Sequence, residues 1–280
     1  METRATRIGL KVWTLLVVLF LHLPIAIIIL YAFNAQTAQG WPITDWTTKW
    51  FSPTLHDGEM QQALWLSLKA AAGSTAVAVL LGSLAAFGIH RFKFFGRDAI
   101  SFLFVLPIAL PGIITGMALN SFFVFWKVNF SVLTIIIGHA TFCIVIVFNN
   151  VIARLRRMQP SIEDASMDLG ANGLQTFRYI LLPELRSAFV AGALLAFALS
   201  WDEVIVTIFT AGGNTTIPIW IWTGLRTGGS GSEINVVAAV VVLLSIVPVY
   251  LAQRLTTGAE GRAAAEEPST LAAVAGSQSL

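Results

Sequence analysis

The stretch "PSIEDASMDLGANGLQTFRYILLPELR", residues 160–186, decides the fold class. Its 27 residues carry four carboxylates (Glu163, Asp164, Asp168, Glu184), two arginines (Arg178, Arg186) and two prolines, and long apolar runs flank it. Pro160 blocks continuation of an upstream helix, because its ring offers no amide proton. "SIED" then has capping-box spacing: the Ser161 hydroxyl accepts the Asp164 amide and the Asp164 carboxylate reaches back. Ile162, Ala165, Ser166 and Leu169 share one face at i, i+3, i+4, i+7. Gly170 supplies the left-handed residue that stops a helix. A second short helix follows, with Leu174, Phe177 and Leu181 on one side, and Leu182-Pro183 breaks it. The expectation is two short helices joined by a tight turn. They form either an interfacial amphipathic linker or a stiff peg that docks into another protein.

The flanking composition places this peg beside a membrane. The chain has 280 residues, 56% hydrophobic and 11% charged, with mean hydropathy +0.77; soluble domains carry about 25% charged residues. Net charge is +2, too small to suggest nucleic-acid binding. Cys143 is the single cysteine and sits in an apolar run, so no disulfide framework exists. His22, His56, His90 and His139 are scattered, read as packing or surface residues, and no metal-ligand cluster is visible. A spanning helix needs about 20 apolar residues. Six segments qualify: 12–32, 60–89, 99–123, 130–153, 187–211 and 234–255. The fold class is therefore an all-α membrane protein of six transmembrane helices. Its parts are an N-terminus at 1–11, a six-helix transmembrane domain at 12–257 and a small, polar, disordered tail at 258–280.

Lys and Arg set the orientation. With the N-terminus inside, inner segments hold thirteen of them and outer segments three (Lys49, Lys127, Arg226), while Lys69 lies within the second span and is expected to snorkel or pair with an acid. Both termini and the peg are then cytoplasmic. Eight of nine tryptophans fall on or near the outer side, as an interfacial belt or a cation-recognising vestibule.

These residues carry a resemblance. Asp164-Ala165-Ser166, then Gly170, then Ile180-x-Leu182-Pro183 resembles the "EAA…G…I-LP" loop of ABC importer permeases, with Asp and Ser standing where Glu and Ala are usual. "LPIALPGIITGMAL" (106–119) is similar to the third-helix motif of type I importer permeases. Residues 198–239 look like the subgroup serving spermidine and putrescine, with Asp202-Glu203, Ala211-Gly212-Gly213, Ile217-Pro218 and Glu233-Ile234-Asn235 in the matching places. The resemblance implies a type I importer permease fold in a bacterial inner membrane. It implies no cofactor and no bond chemistry. It assigns Glu163, Asp164, Ala165, Ser166, Gly170, Ala171, Ile180, Leu182 and Pro183 to the contact with an ATPase. The implied partners are a second permease subunit in a heterodimer, two ATP-binding subunits, an extracytoplasmic substrate-binding protein and membrane lipid. No Gly-Lys dipeptide occurs, so the chain has no phosphate-binding P-loop of its own.

Asp202 and Glu203 mark the substrate path. They fall about 16 residues into the fifth span, ~24 Å along it at 1.5 Å per residue. Carboxylates at that depth face a wet cavity or a partner charge. Asp202, beside Trp201, suits a protonated amine or an ion pair between permeases, and Glu203 is the weaker candidate. Polyamine import is the first reading. Another organic cation, an opine-like compound or an iron complex are alternatives, and an ion-coupled secondary transporter or a membrane scaffold fit less well. Ser230 and Glu233 have capping-box spacing. Gly112 and Gly116 permit close helix approach, and Pro107 and Pro111 permit a bend.

Overall fold

A computed structural model of the chain describes residues 4–37, 39–246 and 250. The tail at 258–280 and the end of the sixth predicted span lie outside the described residues. Among the described residues the regular structure is helical, and the chain divides into two compact units: Met1–Leu64 with Thr215–Ser245, and Trp65–Asn214 with Ile246–Leu280.

The first unit holds α1 (Arg4–Ala32), α2 (Phe51–Leu55), the opening turns of α3 (Gly58–Arg91), α11 (Ile217–Thr227) and α12 (Gly231–Ile246). Helix α1 is apolar on every face and exposed along most of its length, the pattern of a lipid-facing span. Its end packs Ala32 against Val236 and Ala239 of α12, with Trp50 and Phe51 alongside. The connecting segment folds on Asn34, which is buried, bridges to Trp46 and takes the Trp50 indole N–H on its carbonyl at 2.9 Å. The expected capping box at Ser230 and Glu233 does not form. Ile234 N donates to the Ser230 carbonyl at 3.1 Å, while the buried Ser230 Oγ takes no partner among the described residues. The neighbouring Ser232 hydroxyl is used instead, donating to the Gln36 carbonyl at 2.8 Å.

The second unit holds the rest of α3, then α4 (Arg97–Ala109), α5 (Gly112–Phe125), α6 (Val132–Leu155), α7 (Pro160–Asp168), α8 (Gly173–Thr176), α9 (Leu182–Trp201) and α10 (Ile205–Thr210). A π-turn, Phe177–Leu181, joins α8 to α9. Helix α6 is the axis of the unit, and 56% of its most apolar window is buried, against 33% for α3. A capping box of Ser131 and Thr134 starts it. Val147, Val151 and Leu155 on α6 pack with Ala78 and Ala86 on α3, Leu181 of the π-turn and Leu185 of α9. Lipid is as apolar as these side chains, so contact area rather than water expulsion holds such helices together. Small residues supply the contact. A Cβ on Gly82 would lie 2.8 Å from the Ile144 carbonyl oxygen, and one on Gly192 would lie 3.3 Å from Val147 Cα.

Helices occupy the described residues of all six predicted segments, with one break where Pro107 and Pro111 were expected to permit a bend and a second that the sequence reading missed. Four helical stretches, Thr6–Ala32, Gly58–Arg91, Val132–Leu155 and Gly173–Trp201, are individually long and apolar enough to cross a bilayer. The third predicted span is not continuous over 99–123. Leu110 is extended (ψ 139°) and Pro111 precedes α5 as its N-cap, so the segment is two shorter helices. The fifth is not continuous over 187–211 either: α9 stops at Trp201 and α10 restarts at Ile205.

Candidate functional site

The peg begins with a correction. Helix α7 starts at Pro160, its N-cap is Gln159, and no side chain caps it. Proline suits the first helical position because the missing amide has no partner there anyway, so Ser161 already lies inside the helix. Gly170 ends α7 as expected, with φ 88°, and Gly170 N and Ala171 N return to the carbonyls of Met167 and Ser166 at 2.9 and 3.1 Å. Asn172 and Gln175 then form a reciprocal cap on α8 through bonds of 2.8 and 2.9 Å.

Ser166 is the residue that locks the two arms. Its hydroxyl lies 2.7 Å from the Thr176 hydroxyl, and both side chains are buried. Leu182-Pro183 does not break the chain, contrary to expectation. Pro183 sits in the first turn of α9, and the preceding turn widens so that Leu182 N donates to the Phe177 carbonyl. A π-turn of this kind reroutes the ladder around a missing donor. The peg is therefore welded to α9 as one helical stretch, Gly173–Trp201.

Two ion pairs occur among the described residues, and both tie the peg down. Arg91, the last residue of α3, reaches Glu163 at 3.3 Å, and Arg154 in the last turn of α6 reaches Glu184 at 2.8 Å. All four side chains are partly exposed, so each pair contributes on the order of 0–1 kcal/mol and serves register more than stability. A cavity of about 170 Å³ lies beside the first pair, walled by Phe87, Arg91, Leu155, Glu163, Asp164 and Leu181 among others.

Of the predicted coupling residues, Asp164, Ala165, Gly170, Leu182 and Pro183 are exposed. Ala171 and Ile180 are half-buried, Glu163 is ion-paired and Ser166 points inward. The shared apolar faces of the two short helices are buried only in part. Phe177 and Leu181 pack into the core, whereas Leu169 and Leu174 are 89% and 75% exposed. With Tyr179 they give the peg an apolar outer surface.

The second predicted site lies at the other end of α9, which at 20 residues is about 30 Å long. Asp202 is the C-cap of α9, and residues 202–204 are non-helical before α10. The two acids part company there. Glu203 folds back so that its Oε1 accepts from Val206 N at 2.9 Å, capping α10. Asp202 is exposed and its carboxylate takes no hydrogen bond or ion pair among the described residues. Trp201 stacks on Phe197, with centroids 5.8 Å apart and planes at 16°. Lys69 is exposed and belongs to neither ion pair, so of the two expectations, snorkelling or an acidic partner, the partner is not found among the described residues.

His139 is a functional candidate that sequence reasoning passed over as a packing residue. It is 1% exposed, in the middle of α6, and hydrogen-bonds Ser200 Oγ at 2.7 Å and Thr207 Oγ1 at 2.8 Å. Ser200 in turn meets Ser74 of α3 at 2.8 Å. The available signal was its position beside Gly138, which lets α10 approach: a Cβ there would lie 3.1 Å from Thr210.

A transport scaffold accounts for this combination of apolar spans, an external peg and an acid at a helix break. Residues 78–257 match the family of binding-protein-dependent transport system inner membrane components. The chain belongs to that family. It is 35% identical over 243 residues to the putrescine transport system permease protein PotI of Escherichia coli K12, covering 82% of this chain and 85% of that one. It is 32% identical to the spermidine/putrescine transport system permease protein PotC of the same strain, covering 84% and 88%. The solved structure of a bacterial ABC transporter involved in the import of alginate superposes with TM-score 0.66 at 19% identity, covering 92% of this chain and 98% of that one. The inward-facing MetNI methionine transporter gives 0.55 at 17%, covering 71% and 94%. The type I permease fold expected from the motifs is thus the fold of this inner membrane component.

Proposed function

We propose that this chain is one of two permease subunits of an ATP-driven importer and forms half of a path for polyamines such as putrescine and spermidine. The observation that carries the cargo is the 35% identity to a putrescine permease over 82% of the chain. Asp202 supports it chemically: an exposed carboxylate at a helix break, beside an aromatic plane, suits a protonated amine and repels an anion.

ATP is hydrolysed on two separate subunits, one of which grips the peg at Asp164, Ala165, Gly170, Leu182 and Pro183. The apolar surface of Leu169, Leu174 and Tyr179 suits such a groove. Both termini and the peg lie in the cytoplasm, as thirteen inner against three outer basic residues favour. A binding protein delivers cargo on the other side. ATP draws the two ATPases together and the peg moves with its own. Because the peg continues into α9 without a joint, that motion travels ~30 Å along the helix to Asp202. The cycle is a shift between two packings biased by nucleotide.

Labelled putrescine and spermidine uptake in a deletion strain tests the reading. Loss of uptake, restored by the wild-type chain, is the expected result. Uptake that survives deletion in a strain with no other polyamine system would remove polyamines as cargo.

A further inference from the structure

His139 touches both sides of the break between α9 and α10. Ser200 precedes the break and Thr207 follows it, and the imidazole lies within hydrogen-bond distance of both, at 2.7 and 2.8 Å. Counting protons gives these contacts a direction. Each hydroxyl has one proton to donate. Thr207 donates its proton to the Glu203 carbonyl at 2.6 Å, so its oxygen accepts from His139 Nε2–H. Nδ1 then carries a lone pair and accepts from the Ser200 hydroxyl. The Ser74 hydroxyl lies 2.8 Å from Ser200 Oγ and equally 2.8 Å from the Ala70 carbonyl of its own helix, which competes for its single proton. One directed chain therefore runs from Ser200 on α9 through His139 on α6 and Thr207 on α10 to the Glu203 carbonyl in the break itself.

Packing of Val206 in the core holds the near end of α10 as well, while the other side-chain hydrogen bonds from neighbouring helices reach its far end. Thr134 Oγ1 donates to the Thr210 carbonyl at 2.8 Å and Asn120 Nδ2 donates to the Phe209 carbonyl at 2.7 Å. Among the described residues, His139 is the side chain from another helix that bonds α10 within one turn of the break. A helix of six residues is too short to hold its own direction, so its near end relies on the packing of Val206 and, for its hydrogen bonding to another helix, on this contact.

We infer that His139 is a positioning residue for transport: its imidazole splints the α9–α10 break and fixes how Asp202 is presented to the cargo. This rests on the proposed place of Asp202 in the cation path. The splint joins residues that flank the carboxylate by two and five positions, so losing it lets Asp202 wander while leaving the chemistry of Asp202 intact.

The test is labelled putrescine uptake against concentration in cells expressing the complete transporter, normalised to permease in the membrane by immunoblot. His139→Phe keeps ring volume and removes both hydrogen bonds. It is expected to raise KM about tenfold with maximal rate within about twofold. His139→Gln keeps an amide donor that reaches Thr207 and is expected to recover most of the loss. Packing alone would rank the two the other way round. Asp202→Asn is expected to raise KM by a similar factor alone and by less than about twofold on top of His139→Phe. Wild-type KM in His139→Phe, a better Phe than Gln variant, or full additivity overturns the inference.

If Asp202→Asn alone is silent, the cation-path reading fails, and the splint is judged by labelling instead. A cysteine at position 202 should then react with an impermeant maleimide at a rate that His139→Phe shifts at least fivefold or so; an unchanged rate overturns it. The native Cys143 is buried and leaves the background low. Should His139→Phe fail to insert, Thr207→Val against Thr207→Ser replaces it, with the KM rise expected for Val and absent for Ser. Equal KM values in that pair overturn the inference.

Discussion

Gly170 bends the peg through a single torsion, φ 88°, and a Cβ added there would meet no atom within 4 Å. A substitution therefore acts through backbone strain alone. A left-handed β-branched residue is disfavoured by roughly 1–2 kcal/mol, whereas asparagine visits that region readily. Gly170→Val should raise the ATP hydrolysed per amine moved about tenfold in proteoliposomes, equivalent to ~1.4 kcal/mol of lost coupling, and Gly170→Asn should stay near wild type. Equal coupling in the two variants would separate the peg from energy transfer. The Ser166–Thr176 pair makes a second residue-scale prediction. Ser166→Ala leaves the Thr176 hydroxyl buried without its partner and should lower stability by roughly 1–3 kcal/mol. Adding Thr176→Val should recover much of that loss, as thermal unfolding in detergent will report.

Elements packed by glycine divide into tight and tolerant positions. A Cβ on Gly116 of α5 would lie 2.6 Å from the Phe209 ring of α10, whereas one on Gly112 would sit 3.7 Å from Ile205, an ordinary contact. Gly116→Leu should therefore push α10 away and cost about 1–3 kcal/mol, while Gly112→Ala should be nearly silent; thermal unfolding of the two variants distinguishes them. Both glycines were legible in sequence as close-approach residues, as were the spans around α1, α3 and α6, because hydropathy and small-residue spacing report burial directly. The break at Leu110 was legible only as a bend permitted by Pro107 and Pro111, and the one at Asp202 was not legible at all. Apolar residues on both flanks hide a three-residue interruption, and Glu203 supplies a cap from inside what reads as one span. Pro160 and Pro183 were read as stops, yet each sits in a first turn where no amide partner is needed. Ser161 lost its cap for the same reason, the helix having begun one residue earlier. His139 was invisible as a hub because its partners lie 61 and 68 residues away in sequence, and no local pattern announces contacts of that range.

The proposed importer mechanism requires the peg and the segment around Trp41 to lie on opposite sides of the membrane. The basic-residue bias favours the peg inside, and the helical stretch Gly173–Trp201 carries it without interruption to the break. Leu169 and Trp41 report the two sides because both are strongly exposed, at 89% and 79%. Single cysteines at these positions, with the buried Cys143 as a quiet background, should label in opposite fashion. An impermeant maleimide added to spheroplasts should modify a cysteine at position 41 at once, and one at position 169 only after permeabilisation. Purified ATPase partners should then protect position 169 and leave position 41 reactive. That protection follows from the apolar surface at Leu169 and Leu174, which gains by leaving water for a protein groove at about 25 cal/mol per Å² buried. Labelling of position 169 in intact spheroplasts would place the peg outside, where no nucleotide-driven subunit reaches it, and the importer mechanism would fall with it.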